Sequence, residues 1–346
     1  KLELPAPESA TQQLMDEIRA EVLAVRGLGL GAEADDYLIT RDQAVQVLEQ
    51  LFLTESVNES IAREQDVLVA LGLVPAEYFL ADYEISDQAD QLGGFYVPAL
   101  DSLFVIGEDF SGIAPFIYAH EYEHALADEH FDLSGLGPEE CHVLSDQCRA
   151  AKALVEGDAT LLSRQWLNTF ANPEIVDQVV LGFFNNLDAM IVADQPPPPF
   201  ISMDVAFPYS AGELFADALV SVSGWDAIDA AYLAPPSTTE QILHPEKYVA
   251  GEEALPLEAV DISLALSDEW EHLLDGRLGE WMTYLLLWLG PSEAETVADE
   301  AAAAAGAAGW GNDVIQTYQR ADGTLTLSAH WVWDSPADGD EMLAAM

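Results

Sequence analysis

The sequence predicts a predominantly helical α+β fold in which a few antiparallel strands stand apart from the helices. Two observations carry this. Apolar residues recur at helical spacing over most of the chain, and short apolar runs come as two pairs, each flanking a turn, within 93–106 and 313–333. Strands grouped this way, instead of alternating with helices, point to antiparallel hairpins and away from a doubly wound parallel sheet.

The elements run in order along the chain. Helical spacing covers 8–25, ended by Gly27-Leu28-Gly29-Leu30-Gly31, then 41–53 and 60–71, so that residues 1–75 form a helical N-terminal region. Gly93–Val97 and Ser102–Ile106, on either side of Pro98-Ala99-Leu100-Asp101, read as a β-hairpin leading almost directly into a helix around His120. Further helices are expected over 146–170, 174–192, 210–221 and 278–289, with Gln195 and the prolines 196–199 as a rigid connector. Residues 76–290 make the central region. In 291–346 an alanine-rich helix over 293–308 precedes a second hairpin around Ala321-Asp322-Gly323, packed on the same unit.

Charge bounds the function. The 346 residues hold 62 acidic and 11 basic side chains, a formal net charge of −51, which disfavours nucleic acid and anionic lipid as partners. Such self-repulsion suits a salty or cation-rich habitat, where ~1 M salt shortens the screening length to about 3 Å, and equally an ordinary acidic exported protein. The longest apolar stretches, such as Trp281–Leu289, fall short of the ~20 residues a membrane span needs. On a continuous helix Cys141 and Cys148 would stand ~10 Å apart, too far for a disulfide. The preceding Leu136-Gly137-Pro138-Glu139-Glu140 has loop character, so a small disulfide loop is expected, in an oxidising compartment. With Lys1 rather than Met at the start, the expectation is a secreted or extracytoplasmic protein.

The chemistry lies in His120-Glu121-Tyr122-Glu123-His124. Residues four apart on a helix project about 40° from one another, so His120 and His124 can bind one metal through two imidazoles. In an H-E-x-x-H site the glutamate, here Glu121, takes a proton from metal-activated water and passes it to the leaving amine. Apolar residues on both sides, Phe116–Ala119 and Ala125–Ala127, make so many polar groups costly without a ligand.

A catalytic zinc needs a third protein ligand and one open position. His130 has the metzincin spacing, but Ala127 stands where that motif has its helix-ending glycine, so the helix can continue and carry His130 off the metal face. Glu156, in Ala153-Leu154-Val155-Glu156-Gly157-Asp158, is the stronger candidate. Here the sequence resembles the gluzincins, zinc peptidases whose third ligand is a glutamate on a second helix after H-E-x-x-H. The run from about 90 to 250 also resembles an uncharacterised family of bacterial exported proteins predicted to be metallopeptidases. Asp128 and Asp158 are candidates for supporting the ligands.

That resemblance implies a zincin-like fold with a small antiparallel sheet beside the active-site helix. It implies Zn2+ held by His120, His124 and Glu156, and a peptide or protein substrate. Two donors for the tetrahedral oxyanion stay open. Phe207-Pro208-Tyr209-Ser210-Ala211-Gly212 resembles the Tyr-x-x-Gly helix of gluzincin aminopeptidases and nominates Tyr209; within 237–248, His244 is the other, with Tyr248 beside it. The exopeptidase motif Gly-x-Met-Glu-Asn is absent upstream, and residues 93–106 offer an edge strand for an extended peptide, so endopeptidase action is expected. The cluster Asp338-Gly339-Asp340-Glu341 offers carboxylates for Ca2+ but is too short for a standard calcium loop. The rival from another class is a non-catalytic metal-binding or structural protein.

Overall fold

The structure, a computed structural model, describes residues 4–29, 31–52, 55–80, 93–136, 143–192, 196–260, 262, 265–290 and 299–346, with backbone only at 51–52, 55–58 and 183–192. The chain begins with α1 (Ser9–Arg26), β1 (Asp35–Ile39), α2 (Arg41–Phe52) and α3 (Glu55–Ala70). Strands β2 (Gly94–Val97) and β3 (Ser102–Ile106) lead into α4 (Ala114–Phe131), α5 (Asp146–Thr169), α6 (Pro173–Val192) and α7 (Pro199–Ser223). Three short helices, α8 (Asp226–Leu233), α9 (Thr239–Leu243) and α10 (Pro245–Ala250), are followed by β4 (Trp270–Gly276) and α11 (Gly279–Leu289). The rest is α12 (Glu300–Ala307), β5 (Trp310–Arg320), β6 (Leu325–Trp333) and α13 (Pro336–Ala345). The fold is α+β and mostly helical.

The sheet beside α4 contains the expected antiparallel hairpin of β2 and β3 and adds a strand that was not expected. Its order is β1-β3-β2: β2 pairs antiparallel with β3, but β1 runs parallel to it, Asp35 opposite Ser102 and Ile39 opposite Ile106. Among the described residues α2, α3 and β2 lie between β1 and β3, and so long a connection permits the parallel arrangement that a tight turn forbids. The second sheet, β4-β5-β6, is antiparallel throughout and contains the expected 313–333 hairpin. Among the described residues no helix is long and apolar enough to cross a membrane.

Two cores share α4 and α5, and a third lies outside both helices. Met15 and Val22 of α1, Leu103 of β3, Tyr118, Tyr122 and Leu126 of α4, and Leu162 and Trp166 of α5 form one. Ala153, Leu154 and Leu161 of α5 meet Phe207, Phe215 and Leu219 of α7 and Ile228 of α8 in the second. Leu68, Leu144, Phe200, Met282, Leu285 and Ile315 tie α3 to the C-terminal sheet in the third. Helix α4 is therefore walled in on nearly every side, with Tyr118, Ala119 and Tyr122–Ala127 buried. Its start is set by a proline in the first turn, and its end by Asp132 in the left-handed region at φ 56°.

Candidate metal centre

A helix buried all round has no solvated face for charged groups, so each polar side chain of His120–His124 needs an internal partner. His120 and His124, one turn apart, bring their Nε2 atoms to 3.2 Å. Glu156 Oε2, from α5, lies 3.3 Å from His120 Nε2 and 3.4 Å from His124 Nε2. Four tetrahedral bonds of 2.0–2.2 Å place neighbouring donors roughly 3.3–3.6 Å apart, close to the spacing found here. Two facing imidazole nitrogens and a carboxylate oxygen thus fit a tetrahedral metal ion with one position open. Burial works to raise the Glu156 carboxyl, but the charge of His124 and hydrogen bonds with both imidazoles outweigh it and hold Glu156 well below the ordinary carboxylate range.

Glu121 is buried beside this group, under strand β2. The pairing of Ile106 N–H with Gly93 C=O turns the Gly93, Phe95 and Val97 backbone groups toward β3, and those of Gly94 and Tyr96 off the outer edge. The Tyr96 N–H donates to the Glu121 carboxylate. Strand and helix come this close because residue 94 is glycine: a Cβ there would lie 2.7 Å from the Phe104 carbonyl and 3.1 Å from Glu121 Cγ. Burial pushes the Glu121 carboxyl up to about 7; His120 and the Tyr96 N–H pull it down, and Glu156 adds to the rise.

Behind the ligands lies a group that sequence reasoning missed. Arg26, at the end of α1 and fully buried, donates through Nε to Glu123 Oε1 at 2.8 Å. Its Nη2 lies 2.7 Å from Asp229 and 3.6 Å from Asp158, and its guanidinium sits 4.9 Å from the Trp225 ring centroid. Tyr232 donates to Asp158 at 2.9 Å. Glu123 adjoins His124, and Asp158 is two residues past Glu156, so one arginine links the two helices that carry the candidate ligands. Burial, with Asp158 close by, raises the Glu123 carboxyl well above its ordinary range despite Arg26. A signal existed: an arginine closing the apolar stretch Val22–Val25 in a chain with only 11 basic residues.

Helix α5 can present Glu156 because α7 packs against it without side chains between them. Gly157 and Gly212 face each other, and a Cβ on Gly157 would collide with the Gly212 backbone, one on Gly212 with the Ala153 carbonyl. One turn before this crossing α7 carries Tyr209, partly exposed, whose ring centroid is 6.1 Å from that of His120. The structure thus brings Tyr209 to the rim of the metal group.

Other expected residues lie elsewhere. His244 bonds through Nε2 to the buried Glu280 Oε1 at 2.9 Å. Five residues earlier, Thr239 is fastened to Asp146, which by helix rise is ~15 Å along α5 from Glu156. His244 is therefore a helix-junction residue held by Glu280, and Tyr248 donates to the Ala234 carbonyl. Because α4 runs on through Phe131, His130 falls in its last turn, outside the metal-ligating group. Asp128 supports no ligand: it accepts from the Tyr96 hydroxyl and the Leu133 N–H. Asp338, expected in a calcium cluster, completes a capping box with Ser335 at the start of α13. Cys141 and Gln195 lie outside the described residues, and with Cys141 the disulfide expected to Cys148.

A family model described as a domain of unknown function (DUF8575) matches residues 271–346. The match covers β4 onward and none of the residues of the metal group. No curated protein and no solved structure matches the chain.

Proposed function

We propose that the chain is an exported zinc-dependent endopeptidase with a zincin-like arrangement of its central region. The observation that carries this reading is the convergence of His120 Nε2, His124 Nε2 and Glu156 Oε2 within 3.2–3.4 Å, with Glu121 buried beside them. Zinc in such a site supplies Lewis acidity, lowering the pKa of water toward ~7 and polarising the scissile carbonyl. His120, His124 and Glu156 hold it. Glu121 accepts a proton from the attacking water and returns it to the leaving nitrogen. Tyr209, at the rim, donates to the developing oxyanion. The outer edge of β2, which presents the Gly94 backbone groups and the Tyr96 carbonyl, receives an extended peptide.

The test is digestion of a peptide library by the intact protein with zinc and with chelator, next to Glu121→Gln. Chelator-sensitive cleavage that falls roughly 100-fold or more in Glu121→Gln, at equal zinc content, is expected. Zinc retained by both proteins with no peptide cleaved by either would establish the non-catalytic metal-binding alternative.

A further inference from the structure

On the N-terminal side of the Gly157–Gly212 crossing, α3, α5 and α7 enclose a cavity of about 270 Å³. Its lining on α5 includes Ser145, Arg149 and Lys152. With Glu156 these residues fall within an arc of roughly 60° around the helix axis, so the cavity faces the same way as the metal ligand. Lys152 is one turn, ~6 Å along the axis, from Glu156. On α7 the lining ends at Val205 and Pro208, one turn before Tyr209 and next to it. The cavity thus ends one turn of α5 short of Glu156 and one residue of α7 short of Tyr209.

Leu68, Val143, Phe200 and Ile201 make the cavity floor apolar. Two cations reach it. Arg149 is neutralised, donating to both Asp204 oxygens at 2.8 and 3.2 Å while Glu64 also acts on it. Lys152 is exposed and makes no ion pair among the described residues, in a chain where 62 acidic groups surround 11 basic ones. Lys247, by contrast, is enclosed by three carboxylates at 2.6–2.8 Å.

We propose that this cavity is a side-chain subsite of the metal centre. It takes a bulky apolar residue of a peptide bound at the metal centre, while Lys152 pairs with a carboxylate at the neighbouring position, from an acidic side chain or the peptide's own C-terminus. The assignment rests on the peptidase reading for its context. It runs against the net charge of the protein, which alone would favour basic substrates.

Binding of fluorescein-labelled peptides is read by anisotropy on the intact Glu121→Gln protein, and cleavage in parallel on protein that retains Glu121. The probes carry Phe or Ala at the varied position, followed by Asp or Asn, each with a free or amidated C-terminus. Val205→Trp, at an exposed place on the cavity wall, is expected to weaken binding of the Phe peptides at least tenfold and leave the Ala peptides within twofold. Val205→Phe replaces it should it fail to fold. Lys152→Glu is expected to cost about tenfold with carboxylate-bearing peptides only, and Lys152→Arg to restore it; comparing Asp-amide with Asn-acid peptides tells which carboxylate is read. Variants that melt like the parent yet discriminate unchanged between peptides overturn the subsite. Phe-selective binding abolished by Val205→Trp, with no cleavage of any peptide, keeps the subsite and removes the peptidase reading. Cleavage indifferent to both positions removes the subsite alone.

Discussion

Gly157 of α5 and Gly212 of α7 meet backbone to backbone, with no room for a Cβ on either. Glu156 is the residue before this contact, so the closeness of the two helices sets how Glu156 reaches the imidazoles of α4. Gly157→Ala forces the helices apart, and overpacking of this kind costs about 1–3 kcal/mol. Thermal unfolding with and without chelator, beside zinc titration, is expected to show both a lower Tm and a metal affinity reduced at least tenfold. Unchanged affinity in the folded variant would mean that the crossing stabilises the fold without setting the ligand.

Arg26 is the cation for Glu123 and Asp158, all three fully buried. Arg26→Met leaves the buried Glu123 and Asp158, and the partly exposed Asp229, without their counter-charge, and breaking a buried pair from one side costs about 3–5 kcal/mol. Urea denaturation near pH 7 is expected to show that loss. Because neutral carboxyls tolerate burial, the deficit relative to the parent should shrink toward about pH 4. A deficit equally large at both pH values would show that the arginine acts through packing on Trp225, not through charge.

Asp146 offers a pH dependence far from the metal group. Buried at the start of α5, it accepts from Thr239 Oγ1 at 2.6 Å, and burial pushes its carboxyl up to about 7 despite those bonds. An acid raised in the folded state holds its proton where the unfolded chain has lost it. Stability therefore falls as pH rises from about 4 to about 7 and is flat above. Asp146→Asn removes this titration. The stability difference between parent and variant is expected to shift against the parent by a few kcal/mol across that window, read by urea denaturation at stepped pH. Parallel pH curves would show that Asp146 is ionised throughout.

Features governed by local pattern were legible in the sequence. The 3.6-residue period marks α1, α2, α5, α6 and α11 within two or three residues of their ends, and the His-Glu-x-x-His spacing with the missing glycine at 127 directs attention to Glu156. Strand β1 was hidden because its five residues, Asp-Asp-Tyr-Leu-Ile, alternate only weakly and its partner lies more than 60 residues on. Nothing local marks Arg26 as the partner of Glu123, 97 positions away. The same holds for His244, whose partner Glu280 lies 36 residues later.

Lys247 joins three segments of chain. Its ammonium lies 2.7 Å from Glu240, 2.8 Å from Glu252 and 2.6 Å from Asp334, the last within the stretch matched by the family of unknown function. The three carboxylate oxygens lie within 4.8 Å of one another, a cage that the lysine occupies as its own cation. Burial raises the Glu240 carboxyl up to about 7 even with Lys247 bonded to it. Lys247→Met leaves three acidic groups facing one another without a cation, and a loss of about 3 kcal/mol is expected on the scale of one-sided removal from a buried pair, toward its lower end because the site is partly exposed. Oxygen ligands so grouped suit a hard divalent cation. Added Ca2+ at millimolar concentration is therefore expected to raise the Tm of Lys247→Met by several degrees more than that of the parent, whose cage is already filled. Differential scanning calorimetry in matched ionic strength decides it: equal calcium responses in the two proteins would show that the carboxylates separate once the lysine is gone.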